Sequence, residues 1–297
     1  MKKSKINIIA PMKELLAEPK NRIKLDDFVT EQLKDFINKT SLEQFPVQDS
    51  NVQKEDFLER LQRYEEALKD FQKIVILLVR WGNKEQLLVL KKILMRLAEE
   101  DKGKSGTSIW IYFKWYPIQV LMYSSGIAAL SVENYNALQI ILTTYAYVSS
   151  SSLGNRYLPI IVPVGKDLAW INDKFKWIPG QERKHVPRSE HLFEILESLF
   201  QELLFLGKDY ERFFDDFEVY NALVYADVAE RDFYPIGRFG YKQLQGREDT
   251  PINRLVEEAK KGKDKWAPLQ VGMFDGSLDR FLKLSEGLKQ RISKLSW

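Results

Sequence analysis

No cysteine stands anywhere in the 297 residues, so disulfides, thiolate metal sites and a thiol nucleophile are excluded. A chain of this length without cysteine fits a reducing compartment. Histidine is nearly as scarce, with His185 and His191 alone, which argues against catalytic triads and histidine-rich metal cages. Charge of one sign is missing too. The 45 cations and 42 anions leave a net +3, too small a field to argue for nucleic acid. Long apolar runs are absent: the longest strongly apolar stretch is Ile74–Val79, against the roughly 20 residues that cross a bilayer. The basic N-terminus "MKKSKINIIAPMKELL" has only a short apolar stretch, broken by Pro11, and lacks a signal-peptide core. We expect a cytoplasmic protein with no membrane association.

What is present is apolar periodicity. At 44% hydrophobic and 12% aromatic, the chain can bury a sizeable core. Residues 1–20 read as a loose leader ending near Pro19. Leu25, Phe28, Val29, Leu33, Phe36 and Ile37 recur at helical spacing before the loop "NKTSLEQFPVQDSN". Lys54–Trp81 is again helical, ending in "IVILLV", apolar on every face and therefore buried all round. Gly82 is placed as its C-cap, and Asn83 opens a partner helix at Lys84–Glu99. Two further helices fit 117–130 and 134–147, with Ser124, Ser125, Gly126, Ala128 and Ala129 allowing close contact. This pair departs from the tetratricopeptide pattern at Met122, Ser125 and Ala129, and no copy follows at a period of about 34 residues.

After the polar loop 149–155, Pro159, Pro163, Pro179 and Pro187 predict short edge strands or extended loops. Helix resumes at Ser189, a plausible N-cap, and closes at Gly207. Further helices are expected at about 209–229, 252–261 and 277–295. The expected class is mainly α: packed helical hairpins with a small irregular or extended insert at about 155–190. It forms a single helical domain over 21–297, with a division into lobes 21–150 and 189–297 as an option.

Chemical motifs are sparse. Gly103-Lys104-Ser105 ends like a P-loop, but Ala98 stands where its first glycine is needed and no strand precedes it. Asp173 with Glu182-Arg183-Lys184 has the outline of a metal-dependent nuclease, against a solvated loop as the plain alternative. His185 and His191 flank Arg188, an arrangement open to acid–base work or to a basic surface loop. In "YERFFDDFEVYNALVYAD" the aromatics read as core. Asp215, Asp216 and Glu218 read as the wet face, with pairing to Arg231 or Arg238 as the lesser alternative. "RDFYPIGRFGYK" at 231–242 could stack bases, yet it follows an acidic helix. A structural corner suits it better, with Gly237 and Gly240 easing the backbone and Arg238 anchoring carboxylates.

Three stretches together, "RYEEALKDFQKIVILLVRWGNKEQLLVLKKILMRLAEE", "WYPIQVLMYSSGIAAL…YNALQIIL" and "FDDFEVYNALVYADVAERDFYPIGRFGYK", resemble the C-terminal helical region of large bacterial anti-phage defence proteins with sirtuin-like or NTPase effectors. The resemblance implies a sensor or scaffold module without catalytic residues or cofactors. The expectation is therefore a non-enzymatic module whose partner is a protein, an effector subunit or a phage component, with a homo-oligomer left open. Arg156, Arg183, Lys184 and Arg188 are the expected contact surface, and no catalytic or metal residue is assigned. The alternatives are the nuclease at 173–184 and a nucleic-acid-binding module.

Overall fold

The computed structural model describes residues 7–48, 52–100, 103, 105–150, 154–229, 233–245 and 249–295. The fold is mainly α. Helix α1 (Ile9–Ala17) buries Met12 and Leu16, so the stretch expected as a loose leader is in part a packed helix. Helix α2 (Arg22–Lys39) lays Leu25, Val29, Leu33 and Phe36 inward, at the predicted spacing. Helix α3 (Lys54–Trp81) opens on a capping box between Gln53 and Asp56, which satisfies two backbone donors. It ends at Gly82, whose N–H donates to Leu78 O at 2.8 Å. Asn83 Oδ1 then accepts from the Glu85 and Gln86 amides and starts the turn into α4 (Leu87–Glu99).

After α5 (Ser108–Phe113) comes α6 (Tyr116–Ser131), buried from Tyr116 to Leu130. Its serines bond to their own turns: Ser124 Oγ donates to Val120 O at 2.8 Å and also accepts from Gln72 Nε2 of α3 at 3.2 Å. Helix α7 (Tyr135–Thr143) is capped by Asn134, whose Oδ1 accepts from the Ala137 amide. It stops four residues before the predicted end, because residues from Tyr145 onward pair as a sheet.

That sheet is an antiparallel hairpin of β1 (Tyr145–Ser150) and β2 (Gly154–Pro159), with Tyr147 opposite Tyr157 and Val148 opposite Arg156. It replaces part of the loop expected at 149–155. Helix α8 (Ile161–Trp170) corrects the extended reading of this insert. Pro163 is tolerated because it lies in the first turn, where backbone N–H groups lack intrahelical partners. A 3-10 segment (Asn172–Trp177) follows.

Helix α9 (Pro187–Leu204) starts on Pro187 rather than after a Ser189 cap, since proline at the first helical position is pre-set for the helix. Helix α10 (Asp209–Ala229) is buried on nearly every side from Phe214 to Ala226. The short α11 (Phe239–Leu244), then α12 (Pro251–Gly262), α13 (Ala267–Gln270) and α14 (Leu278–Ser293) complete the chain. Thr250 and Ser277 accept from the Asn253 and Arg280 amides as the caps of α12 and α14.

One apolar cluster runs from Ile8 to Ile292 and includes side chains of both chain halves. At its centre α6 packs on α3 with one face and on α10 with another. The α6–α10 contact requires Gly126: a Cβ there would lie 2.0 Å from the Phe217 ring. Gly126→Ala is expected to destabilise the protein by about 1–3 kcal/mol through this overlap. Urea unfolding measures it, and an unchanged midpoint would contradict the packing described.

Candidate functional site

The four cations expected to form a contact surface do not share one environment. Arg156 is exposed on β2, and Arg183 and Lys184 are exposed in the turn that precedes α9. Arg188 corrects the expectation. It points inward towards Tyr116, Tyr123 and Glu218, and its Nη1 is buried without a hydrogen-bond partner. The proline start of α9 turns this residue, one position into the helix, towards α6 and α10.

Glu218 of α10 is 1% exposed. Its Oε1 accepts from the Tyr123 hydroxyl at 3.0 Å and from Ser189 Oγ at 2.6 Å. Ser189 Oγ in turn accepts the Arg238 amide at 2.9 Å. Gly237 lies flat against this carboxyl, and a Cβ there would meet Oε1 at 2.1 Å. That close approach, rather than a special backbone angle, is why glycine stands there. Burial pushes the Glu218 carboxyl up to about 7; the Ser189 and Tyr123 bonds and the Arg238 charge oppose the rise, while Asp215 adds to it. Burial likewise lowers Arg188, with Tyr123 and Glu218 opposing.

A second, partly buried knot lies beside the first. His191 Nε2 hydrogen-bonds Glu65 Oε1 at 2.6 Å, and the Tyr116 hydroxyl donates to the same oxygen at 2.8 Å. His191 is therefore tied to α3, while His185 is exposed in the preceding turn. Arg188, Glu218, Gln119 and Gly237 border a cavity of about 20 Å³. That is room for about one water. Unbonded atoms of three of its residues, Glu218 Oε2, Arg188 Nη1 and Gln119 Oε1, are buried. The arrangement can hold a proton or a water, and it is too small to admit a substrate.

The acidic run also departs from expectation. Asp215 and Asp216 are buried with Glu218, not on a wet face. Asp215 pairs with Lys242 and faces Arg238, whose Nη2 reaches Glu211 at 2.9 Å. Arg238 thus anchors the carboxylates of α10, as the corner reading expects, with its guanidinium 3.5 Å from the Phe193 ring centroid. Asp216 pairs with Arg254 of α12, and burial still pushes its carboxyl up to about 6. These partners arrive from distant elements, so periodicity within α10 carried no sign of them. Arg231 lies outside the described residues.

The nuclease constellation is not assembled. Asp173 is solvent-exposed and pairs with Lys176 at 2.8 Å, while Glu182 and Lys184 lie exposed in a turn. Among the described residues no group of three or more His, Asp or Glu side chains converges as a metal site. Of the P-loop-like stretch, Gly103 abuts the Val47 side chain and Lys104 lies outside the described residues. No helix among the described residues is long and apolar enough to cross a membrane.

The surface feature that sequence reasoning missed is the hairpin. Ala146 and Val148 are buried on its inner side, and β1 packs on α4. Tyr145, Tyr147 and Tyr157 stand on the outer side at 42%, 56% and 62% exposure. Tyr145 and Tyr157 stack with ring centroids 5.5 Å apart. The strict alternation in "YAYV" was the available signal. Trp170, at the end of α8, is also exposed.

The raised Glu218 carboxyl sets a pH dependence. Between its ordinary 4.5 and about 7 the folded chain holds the proton and the unfolded chain does not. Stability therefore falls as pH rises through that window. Asp216 acts in the same sense from 3.8 to about 6. Glu218→Gln removes only the Glu218 part. The stability of wild type minus that of the variant should fall by roughly 1–3 kcal/mol between pH 5 and pH 8 in urea titrations. Parallel curves would show that Glu218 does not titrate in this window.

No protein-family model, curated protein or solved structure matches the chain, so its function rests on the chemistry of its own surface.

Proposed function

We propose that the chain is a non-enzymatic helical scaffold that captures a protein partner through the outer face of the β1–β2 hairpin. The observation that carries this is the row of three exposed tyrosines on a strand pair whose other face buries Ala146, Val148 and Leu158. Tyrosine supplies a large contact area with little conformational entropy to lose, and it is enriched among residues that dominate interface energies. Trp170, exposed at the end of the same 145–170 segment, adds a further aromatic of the kind such interfaces favour, whereas Arg156, exposed opposite Val148, stands on the other face of the hairpin. Arg183 and Lys184 supply a charged rim that speeds encounter more than it strengthens grip. Arg188, engaged inside, takes no part in contact.

The absence of chemistry in this proposal draws support from the geometry of the two candidate centres. The 173–184 carboxylates lie apart in solvent-facing ion pairs and turns, and the polar cavity beside Glu218 is water-sized. The setting we propose, bacterial anti-phage defence, is supported by the likeness of the helical stretches to the C-terminal regions of such proteins. The partner is then an effector subunit or a phage component.

A photo-crosslinking amino acid at Tyr147, compared with one at Ile23 on α2, tests the reading in infected and uninfected cells. We expect a single cross-linked protein from the Tyr147 position. Tyr145→Ala with Tyr157→Ala should reduce its yield at least about tenfold at unchanged circular dichroism. Equal yields from both positions, or indifference to the double substitution, would remove the hairpin as the contact face.

A further inference from the structure

A cavity of about 560 Å³ opens between the C-terminal turn of α2, the loop 40–44, the end of α4 and the start of α6. Nothing in the proposed partner surface involves it. Its size falls in the range of small-molecule sites, about 300–1,000 Å³. Phe36, Ile37, Leu42, Leu97, Pro117 and Ile118 supply apolar wall. Of the polar side chains in that lining, Lys114 and Tyr64 are more than nine-tenths buried. Lys114 Nζ donates to Thr40 O at 2.8 Å. The Tyr64 hydroxyl is buried and makes no hydrogen bond.

The wall is held in place rather than collapsed. Arg60 Nη1 donates to Pro46 O at 2.9 Å and Arg63 Nη2 to Gln44 O at 3.1 Å, fastening the loop to α3. The Thr107 amide donates to Val47 O at 2.7 Å from the other side. Phe45, from the same loop, stacks on Tyr64 with ring centroids 4.2 Å apart and planes at 9°, and the Arg63 guanidinium covers it at 4.5 Å. Tyr64 is thus locked in one orientation, with its hydroxyl left over.

We propose that this cavity binds a small amphiphilic monoanion, its acidic head on Lys114 and its apolar body against Phe36, Leu97 and Ile118. The sign of the head follows from where the charges sit. Lys114 is buried, whereas Glu43 and Glu100, which also line the cavity, are exposed and screened by solvent. A buried ammonium attracts an anion far more strongly than exposed carboxylates repel it. Carboxylate and phosphate monoester heads share this chemistry.

Titration of the purified chain with 8-anilinonaphthalene-1-sulfonate, followed by displacement with octanoate, octyl phosphate or octyltrimethylammonium, tests the proposal. The expected result is saturable one-to-one binding, displaced by at least one of the two anions. Which anion displaces better assigns the head group. The cation should compete at least about tenfold less well. Lys114→Met should weaken binding about tenfold or more. Leu42→Trp, on the half-buried loop where folding is spared, should block the cavity and abolish binding with the circular dichroism unchanged. Absence of saturable binding, equal competition by the cation, or Leu42→Trp binding like wild type would overturn the proposal.

Discussion

Everything in this fold is arranged around the need to bury α6 on all sides. A helix with no wet face cannot be satisfied by one neighbour, and α3 and α10 are the two long helices that close over it. Their approach is set by the smallest side chains on α6. Gly126 admits the Phe217 ring, and Ser124 bonds its own turn while receiving Gln72 from α3. Replace these small groups and both long helices are pushed out, together with the outer helices that rest on them.

The polar groups inside the molecule follow the same logic of closure. Glu218, Ser189, Tyr123 and the Arg238 amide form one chain of bonds that joins α10, α9, α6 and the corner before α11. Glu65, Tyr116 and His191 form another that joins α3, α6 and α9. Apolar packing alone is tolerant of sliding, whereas hydrogen bonds of 2.6–3.0 Å fix one register between helices. We read these knots as registration devices. Their cost is visible in Glu218 and Asp216, whose carboxyls burial drives towards the neutral form.

How much of this the sequence discloses depends on the range of the interaction. Local signals were faithful: the span of α3, Lys54–Trp81, follows from its stripe and cap residues, and α10 spans the predicted 209–229. So was the corner role of Arg238. Signals that depend on distant partners were not legible. Asp215 and Asp216 look like a solvated face until Lys242 and Arg254 arrive from α11 and α12. Arg188 looks like a surface cation in "RKHVPRSEH" until α9 begins at Pro187 and rotates it inward. The prolines of the insert weighed against helix, although a proline in a first turn costs nothing. The hairpin lay hidden because a helical period was carried four residues past its end, over a stretch whose true period is two.

The wide sequence separation of the two knots bears on how the chain matures. Tyr123 and Glu218 lie 95 residues apart, and Glu65 and His191 lie 126 apart. During synthesis, at about 5–20 residues per second, α6 emerges roughly 5–20 s before the helix that covers its second face. Throughout that interval the glycine-bearing side of α6 is an uncovered apolar strip on a nascent chain. Chaperone occupancy of ribosome-bound intermediates should accordingly rise once α6 is out and drop when α10 follows.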